Sequence, residues 1–63
     1  GMTVDEQGNV YVATKAGIEV FSPEGMLWDT LDVPLQPTNC TLGDDTLFIT
    51  ARRSVYAIAL AQP

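Results

Sequence analysis

Histidine is absent from this 63-residue chain, and cysteine occurs once, as Cys40. An internal disulfide therefore cannot form, and a Cys/His zinc staple lacks its ligands. Those are the usual supports of chains below about 70–80 residues, whose small cores bury a low fraction of their surface. Partner subunits remain as the available support. Without a histidine to activate it, Cys40 is also a poor candidate nucleophile. Positive charge is scarce: three Lys and Arg residues stand against eight Asp and Glu, for a net charge of -5. Such a chain repels phosphate backbones, so nucleic acid is not an expected partner. No apolar run reaches the roughly 20 residues that span a bilayer, and no basic segment opens the chain, so neither a membrane partner nor a signal peptide is visible. A soluble protein, cytoplasmic or otherwise, is the expectation, and the lone cysteine suits a reducing compartment. Asn39-Cys40-Thr41 fits the glycosylation triplet but reads as coincidence in that setting. The chain opens inside what reads as a strand, as a portion of a longer gene or an unusually short gene would.

What is present is a series of short apolar runs at period two, divided by turn residues, with no convincing helix. Strands are predicted over 2–4, 10–14, 18–21, 26–33, 39–42, 46–51 and 54–60. Gly8 and Asn9 suit positive φ in the first turn. Ser22-Pro23-Glu24-Gly25 places Pro where φ is preset and Gly where the turn closes. Pro34 and Pro37 bracket a loop. The second half repeats the first: an offset of 37 puts Val10 on Leu47, Tyr11 on Phe48, Val12 on Ile49, Lys15 on Arg52, Ile18 on Val55 and Phe21 on Ile58. Upstream, an offset of 38 puts Thr3 on Thr41 and Val4 on Leu42, so the second turn is one residue shorter.

A four-stranded unit recurring near 40 residues has the period of propeller blades. The predicted fold is all-β, with antiparallel four-stranded blades forming about one and three-quarter blades of a propeller. Residues 1–33 make a complete blade and 38–60 a three-stranded second one, within one partial domain over 1–63. The competing reading is a fragment of an ordinary antiparallel sandwich; the repeat favours the propeller. Middle strands of stacked blades are covered on both faces, and Val10-Tyr11-Val12-Ala13 and Leu47-Phe48-Ile49 have the continuous apolar character this requires. The outer strand should be more polar, as Trp28-Asp29-Thr30-Leu31-Asp32 is, with Trp28 expected to cover the blade edge.

Four segments together resemble one family. Gly1-Met2-Thr3-Val4-Asp5-Glu6-Gln7-Gly8-Asn9-Val10-Tyr11-Val12-Ala13 is similar to its "P-D-G-M-x-V-D-x-x-G-N-hydrophobic-aromatic-V-A" segment. Gly17-Ile18-Glu19-Val20-Phe21-Ser22-Pro23-Glu24-Gly25 is similar to its "G-(V/I)-x-V-F-x-P-x-G" hairpin. Pro37-Thr38-Asn39-Cys40-Thr41-Leu42-Gly43 and Leu47-Phe48-Ile49-Thr50-Ala51-Arg52 resemble its "P-T-N-C-x-F-G" and "L-Y-(V/I)-T-x-A-R" elements. The family is the gluconolactonase, regucalcin and luciferin-regenerating-enzyme-like group, and the resemblance covers essentially the whole chain. It implies a six-bladed propeller that hydrolyses sugar lactones with a divalent metal, calcium or zinc, acting as a Lewis acid at one end of the channel. Its ligands are carboxylates and asparagines from several blades, one being the Asp of the P-D-G motif. That Asp would stand just before Gly1, and its counterpart in the second repeat is Thr38, which cannot serve as carboxylate ligand or base. No catalytic residue and no metal ligand is therefore carried over, and no cofactor is expected in this chain.

Strand order places Thr38, Asn39, the Lys15 turn and the Arg52-Arg53 turn at the channel mouth. Thr38, Asn39, Lys15 and Arg52 are the candidate contacts for an anionic or hydroxyl-rich ligand. The plainer reading is that hairpin turns carry charge for solubility and that Asn39 caps its own turn. Asp5-Glu6 and Asp44-Asp45 fall in turns on the opposite face, where turn chemistry explains them, and Cys40 is expected to fill space on an inner strand. Open blade faces and strand edges predict self-association, three copies of about two blades sufficing to close a ring. Two functions stay open: a sugar-lactone hydrolase executed only within a longer parent chain, and a non-catalytic propeller module that assembles or binds a ligand.

Overall fold

The computed structural model describes residues 1–60. Seven strands follow one another: β1 (Met2–Val4), β2 (Val10–Thr14), β3 (Gly17–Phe21), β4 (Leu27–Leu31), β5 (Asn39–Leu42), β6 (Thr46–Ala51) and β7 (Ser54–Ala59). They form two antiparallel sheets, β1-β2-β3-β4 and β5-β6-β7, with every neighbour in the sheet also a neighbour in the chain. Such meanders follow from β-branched and aromatic runs set between short turns. The residues described contain no helix, as expected from the sequence.

Turn chemistry sets the register. Thr14 pairs with Gly17 across a two-residue turn. Gly17 has φ +123°, and a Cβ there would lie 2.3 Å from the Leu31 carbonyl oxygen, so the position tolerates only glycine. At the next turn the Ser22 N–H donates to the Met26 carbonyl at 2.8 Å, and the Met26 N–H donates to Ser22 Oγ at 3.1 Å. This turn holds Met26, and a register shift at Val20/Phe21 follows it, so β4 starts at Leu27 rather than at 26. It ends at Leu31, ahead of the predicted 33, as the chain bends toward Pro34. β3 gains Gly17 and β7 ends at Ala59, one residue short of the expected 60.

The core lies between the sheets. Tyr11 and Ile18 of the first meet Cys40, Leu47 and Ile49 of the second, with Val20, Leu31, Val33, Tyr56 and Ile58 packed around them. Period two splits each sheet into a covered and an open side. In β6, Leu47, Ile49 and Ala51 are 0% exposed while Phe48 is 43% exposed. Among the described residues one face of each sheet has no neighbouring sheet against it, so two-sided covering of the middle strands is not seen here. The expectation for Trp28 is also overturned. It is 71% exposed on a strand whose residues are exposed up to Leu31, so it buries little against the blade edge.

The repeat is visible in the side chains. In the first blade the Tyr11 hydroxyl donates to Asp5 Oδ2 at 3.2 Å. The equivalent pair in the second is Phe48 and Gly43, where a Cβ on the glycine would come 2.8 Å from Phe48 Cε2. A hydrogen-bonded pair in one blade is thus a steric contact in the other.

Candidate functional site

β1 starts beside the β2–β3 turn, because the Ala13 N–H donates to the Gly1 carbonyl at 2.9 Å. β5 starts beside the β6–β7 turn, because the Thr38 N–H donates to the Thr50 carbonyl at 2.8 Å. The two ends are joined where the Gly1 amino group donates to the Thr38 carbonyl at 3.0 Å. Lys15, Thr38, Asn39 and Arg52 therefore share one end of the two sheets. Arg52 has φ +58°, the left-handed geometry of a tight hairpin. All three cationic side chains of the chain, Lys15, Arg52 and Arg53, belong to these two turns.

The polar groups at this end are partly committed. Thr38 Oγ1 donates to the Thr50 carbonyl at 3.1 Å and lies 3.1 Å from Thr50 Oγ1. Asn39 Oδ1 accepts from the Cys40 N–H at 2.8 Å, the local capping expected of an Asx side chain. The Asn39 amide also presses on Gly1, where a Cβ would meet Oδ1. Cys40 is 7% exposed, with Sγ 3.5 Å from the Tyr11 carbonyl. Burial pushes its thiol pKa up, against the opposing pull of the Gly1 ammonium, so the unreactive thiol form is favoured.

The opposite end is acidic. Asp5 Oδ1 accepts from the Gln7 and Asn9 N–H groups, both at 2.9 Å, and Oδ2 accepts from Asn9 Nδ2 at 3.0 Å and from Tyr11. Burial pushes the Asp5 carboxyl up, but the bonds from Asn9, Tyr11 and Gln7 together outweigh it and hold its pKa below the ordinary value. Burial, then the Asp5 charge, raises the Tyr11 phenol. An open wedge of about 960 Å³ lies at this end, between the turns of Asp5-Glu6 and Asp44-Asp45 with Trp28 at its rim. Asp5 is spent on its own turn, as the sequence implied. Among the described residues no three His, Cys, Asp or Glu side chains come together as a set able to hold a metal. The residues present therefore do not fit the divalent metal that the resemblance implies.

A smaller hollow of about 140 Å³ opens on the uncovered side of the second sheet, between Asn39, Cys40, Thr41, Phe48 and Thr50. Sequence reading missed it. The signal was there in the offset, which pairs Phe48 with a residue, Tyr11, that a second blade covers.

Two repeated antiparallel blades, stacked through one apolar face each, define a partial β-propeller. The profile of the SMP-30/gluconolactonase/LRE-like region matches residues 1–53, and the chain belongs to that family. It is similar to a gluconolactonase of Zymomonas mobilis, 37% identical over 62 aligned residues that cover 92% of this chain and 17% of the relative. The chain thus spans about a sixth of the length of the curated relative it matches. No solved structure matches it. No helix among the described residues is long and apolar enough to cross a membrane.

Proposed function

We propose that this chain supplies one arc of a sugar-lactone hydrolase of the gluconolactonase kind, and that it is not a complete catalyst by itself. The observation that carries this reading is the pairing of a match along 92% of the chain with coverage of only 17% of the relative. In this reading any divalent metal would be held by residues of other blades, not by this chain. The contribution of these residues is the mouth: Lys15 and Arg52 supply positive potential toward an anionic or hydroxyl-rich ligand. Thr38 and Asn39 supply a hydroxyl and an amide beside them.

Two measurements test the reading. The isolated chain, given calcium or zinc, should open a sugar lactone no faster than buffer does; sustained turnover would refute the claim of incompleteness. Replacing the matching segment of the Zymomonas mobilis gluconolactonase by this chain should give a folded enzyme that still hydrolyses gluconolactone. A folded chimera without activity would refute the assignment to that arc.

A further inference from the structure

We infer that the cationic end selects a lactone bearing a second, ionised group, a carboxylate or a phosphate, over a neutral one, and that Lys15, Arg52 and Arg53 set this preference. The inference rests on the reading of this chain as one arc of a lactone hydrolase and adds a substrate class to it. Both turns at this end are two-residue hairpins, since Thr14 pairs with Gly17 and Ala51 with Ser54. Of the residues so enclosed, Lys15, Ala16, Arg52 and Arg53, all are exposed and all but the alanine are positive.

Charge is sorted along the strands. Glu6, Glu24, Asp44 and Asp45 lie exposed in the turns of the opposite end. β6 runs the whole way from Asp45 to Arg52, six residues at about 3.3 Å each, so these turns stand about 20 Å apart. That is more than twice the Debye length of about 8 Å at physiological salt, so the acidic end does not cancel the field at the cationic one. One carboxylate does belong to the cationic end: Asp32, whose Cα would lie 3.7 Å from a Cβ on Gly17. It offsets a single charge of the three. A neutral sugar needs directed donors and acceptors, but Thr38 Oγ1 and Asn39 Oδ1 are already engaged by the Thr50 carbonyl and the Cys40 N–H. What this end offers freely is charge on long side chains, which attracts an anion without fixed geometry. A positive mouth also favours the negative charge that develops as any lactone ring opens. That effect cancels between two substrates sharing a ring.

The test uses the chimera in which this chain replaces the matching segment of the Zymomonas mobilis gluconolactonase. Two matched pairs of substrates are compared: glucono-1,5-lactone with its 6-phosphate, and the 1,4-lactones of gluconic and glucaric acid. The readout is the ratio of kcat/KM, anionic over neutral. Lys15→Glu/Arg53→Glu should lower it about tenfold for the phosphate, and less for the carboxylate, at about 0.01 M salt, where the Debye length is about 30 Å. At about 1 M salt, with a Debye length of about 3 Å, the effect should nearly vanish. Arg52→Asn, a residue at ease with φ +58°, replaces the double variant if that fails to fold and should lower the ratio about threefold. Independently of the chimera, gluconate 6-phosphate added to the isolated chain at low salt should move the amide signals of Lys15, Arg52 and Arg53 in nuclear magnetic resonance, and glucose should not. A fall in one substrate pair alone assigns the preference to that anion. Ratios unchanged in folded variants, ratios lowered equally at both salt concentrations, or amides that respond no more to the phosphate than to glucose would each overturn the inference. Hydrolysis of glucono-1,5-lactone by the same chimera would then leave the assignment to a lactone hydrolase standing. A folded chimera that opens none of the lactones overturns both.

Discussion

Replacing Asp5 by Asn should destabilise the chain near neutral pH and leave it almost unaffected in acid. The Asp5 carboxylate accepts four hydrogen bonds, from the Gln7 and Asn9 N–H groups, Asn9 Nδ2 and the Tyr11 hydroxyl. An asparagine keeps one acceptor oxygen for the two backbone donors. Its NH₂ then faces Asn9 Nδ2, donor against donor, and can only donate to the Tyr11 hydroxyl, so two charge-assisted bonds are lost and one is replaced by a neutral bond. Such bonds contribute about 1.5–3 kcal/mol each when dry and less where water competes; for this half-buried turn the sum is about 1–2 kcal/mol. The pH dependence has a definite sign. A carboxyl held below its ordinary value of 3.8 binds its proton less readily folded than unfolded. Its stabilisation is therefore complete above that value and is lost as pH falls through the lowered folded one. Urea unfolding followed by circular dichroism, at one fixed chain concentration because association shifts apparent stability, measures the gap between the two proteins. The gap should be present at about pH 7 and shrink steadily as pH falls below the ordinary value of 3.8. Equal stability at neutral pH, or a gap that persists undiminished in acid, refutes the assignment of Asp5 as a charged turn clasp.

Two further predictions concern the shared core and its turns. Leu47→Ala removes a side chain that is 0% exposed between the sheets and should cost about 2–5 kcal/mol, enough to unfold so small a chain, whereas Val55→Ala on the open face should cost well under that in the same urea titration. Gly17→Ala forces a Cβ toward the Leu31 carbonyl at φ +123° and should cost several kcal/mol, seen as loss of the β-sheet dichroism signal; a fully folded Gly17→Ala chain would show that the β3–β4 edge can yield.

Strand identity was legible because it depends on neighbours in sequence. Val10–Thr14 and Thr46–Ala51 are β-branched and aromatic runs closed by turns, and both form where the period-two pattern puts them. Family membership was legible for the same reason, through short segments whose order along the chain is specific. Matters that depend on the second sheet were not. Whether Phe48 is covered is decided by a neighbour that the pattern of β6 cannot reveal. Trp28 reads as an edge cover by size alone, but its side depends on the register shift at Val20/Phe21, which has no local signature. Asp5 was legible as a turn residue, though not as the acceptor of a bond from Tyr11, six positions on. At the candidate mouth, strand order sufficed to bring Lys15, Thr38, Asn39 and Arg52 to one end. The local capping expected of Asn39 takes the form of Oδ1 accepting from the Cys40 N–H, a partner that only the geometry names.

The exchange of Asp5 and Tyr11 for Gly43 and Phe48 between the two blades carries a consequence for how such repeats drift apart. An aspartate at position 43 would collide with the Phe48 ring, and a glycine at position 5 would strand the Tyr11 hydroxyl and untie the turn. Passage from one pair to the other by way of position 5 or position 43 first therefore costs folding stability, which favours coupled replacement. The clasp and the contact each tie two positions of a blade together, so that a replacement at one changes what the other tolerates.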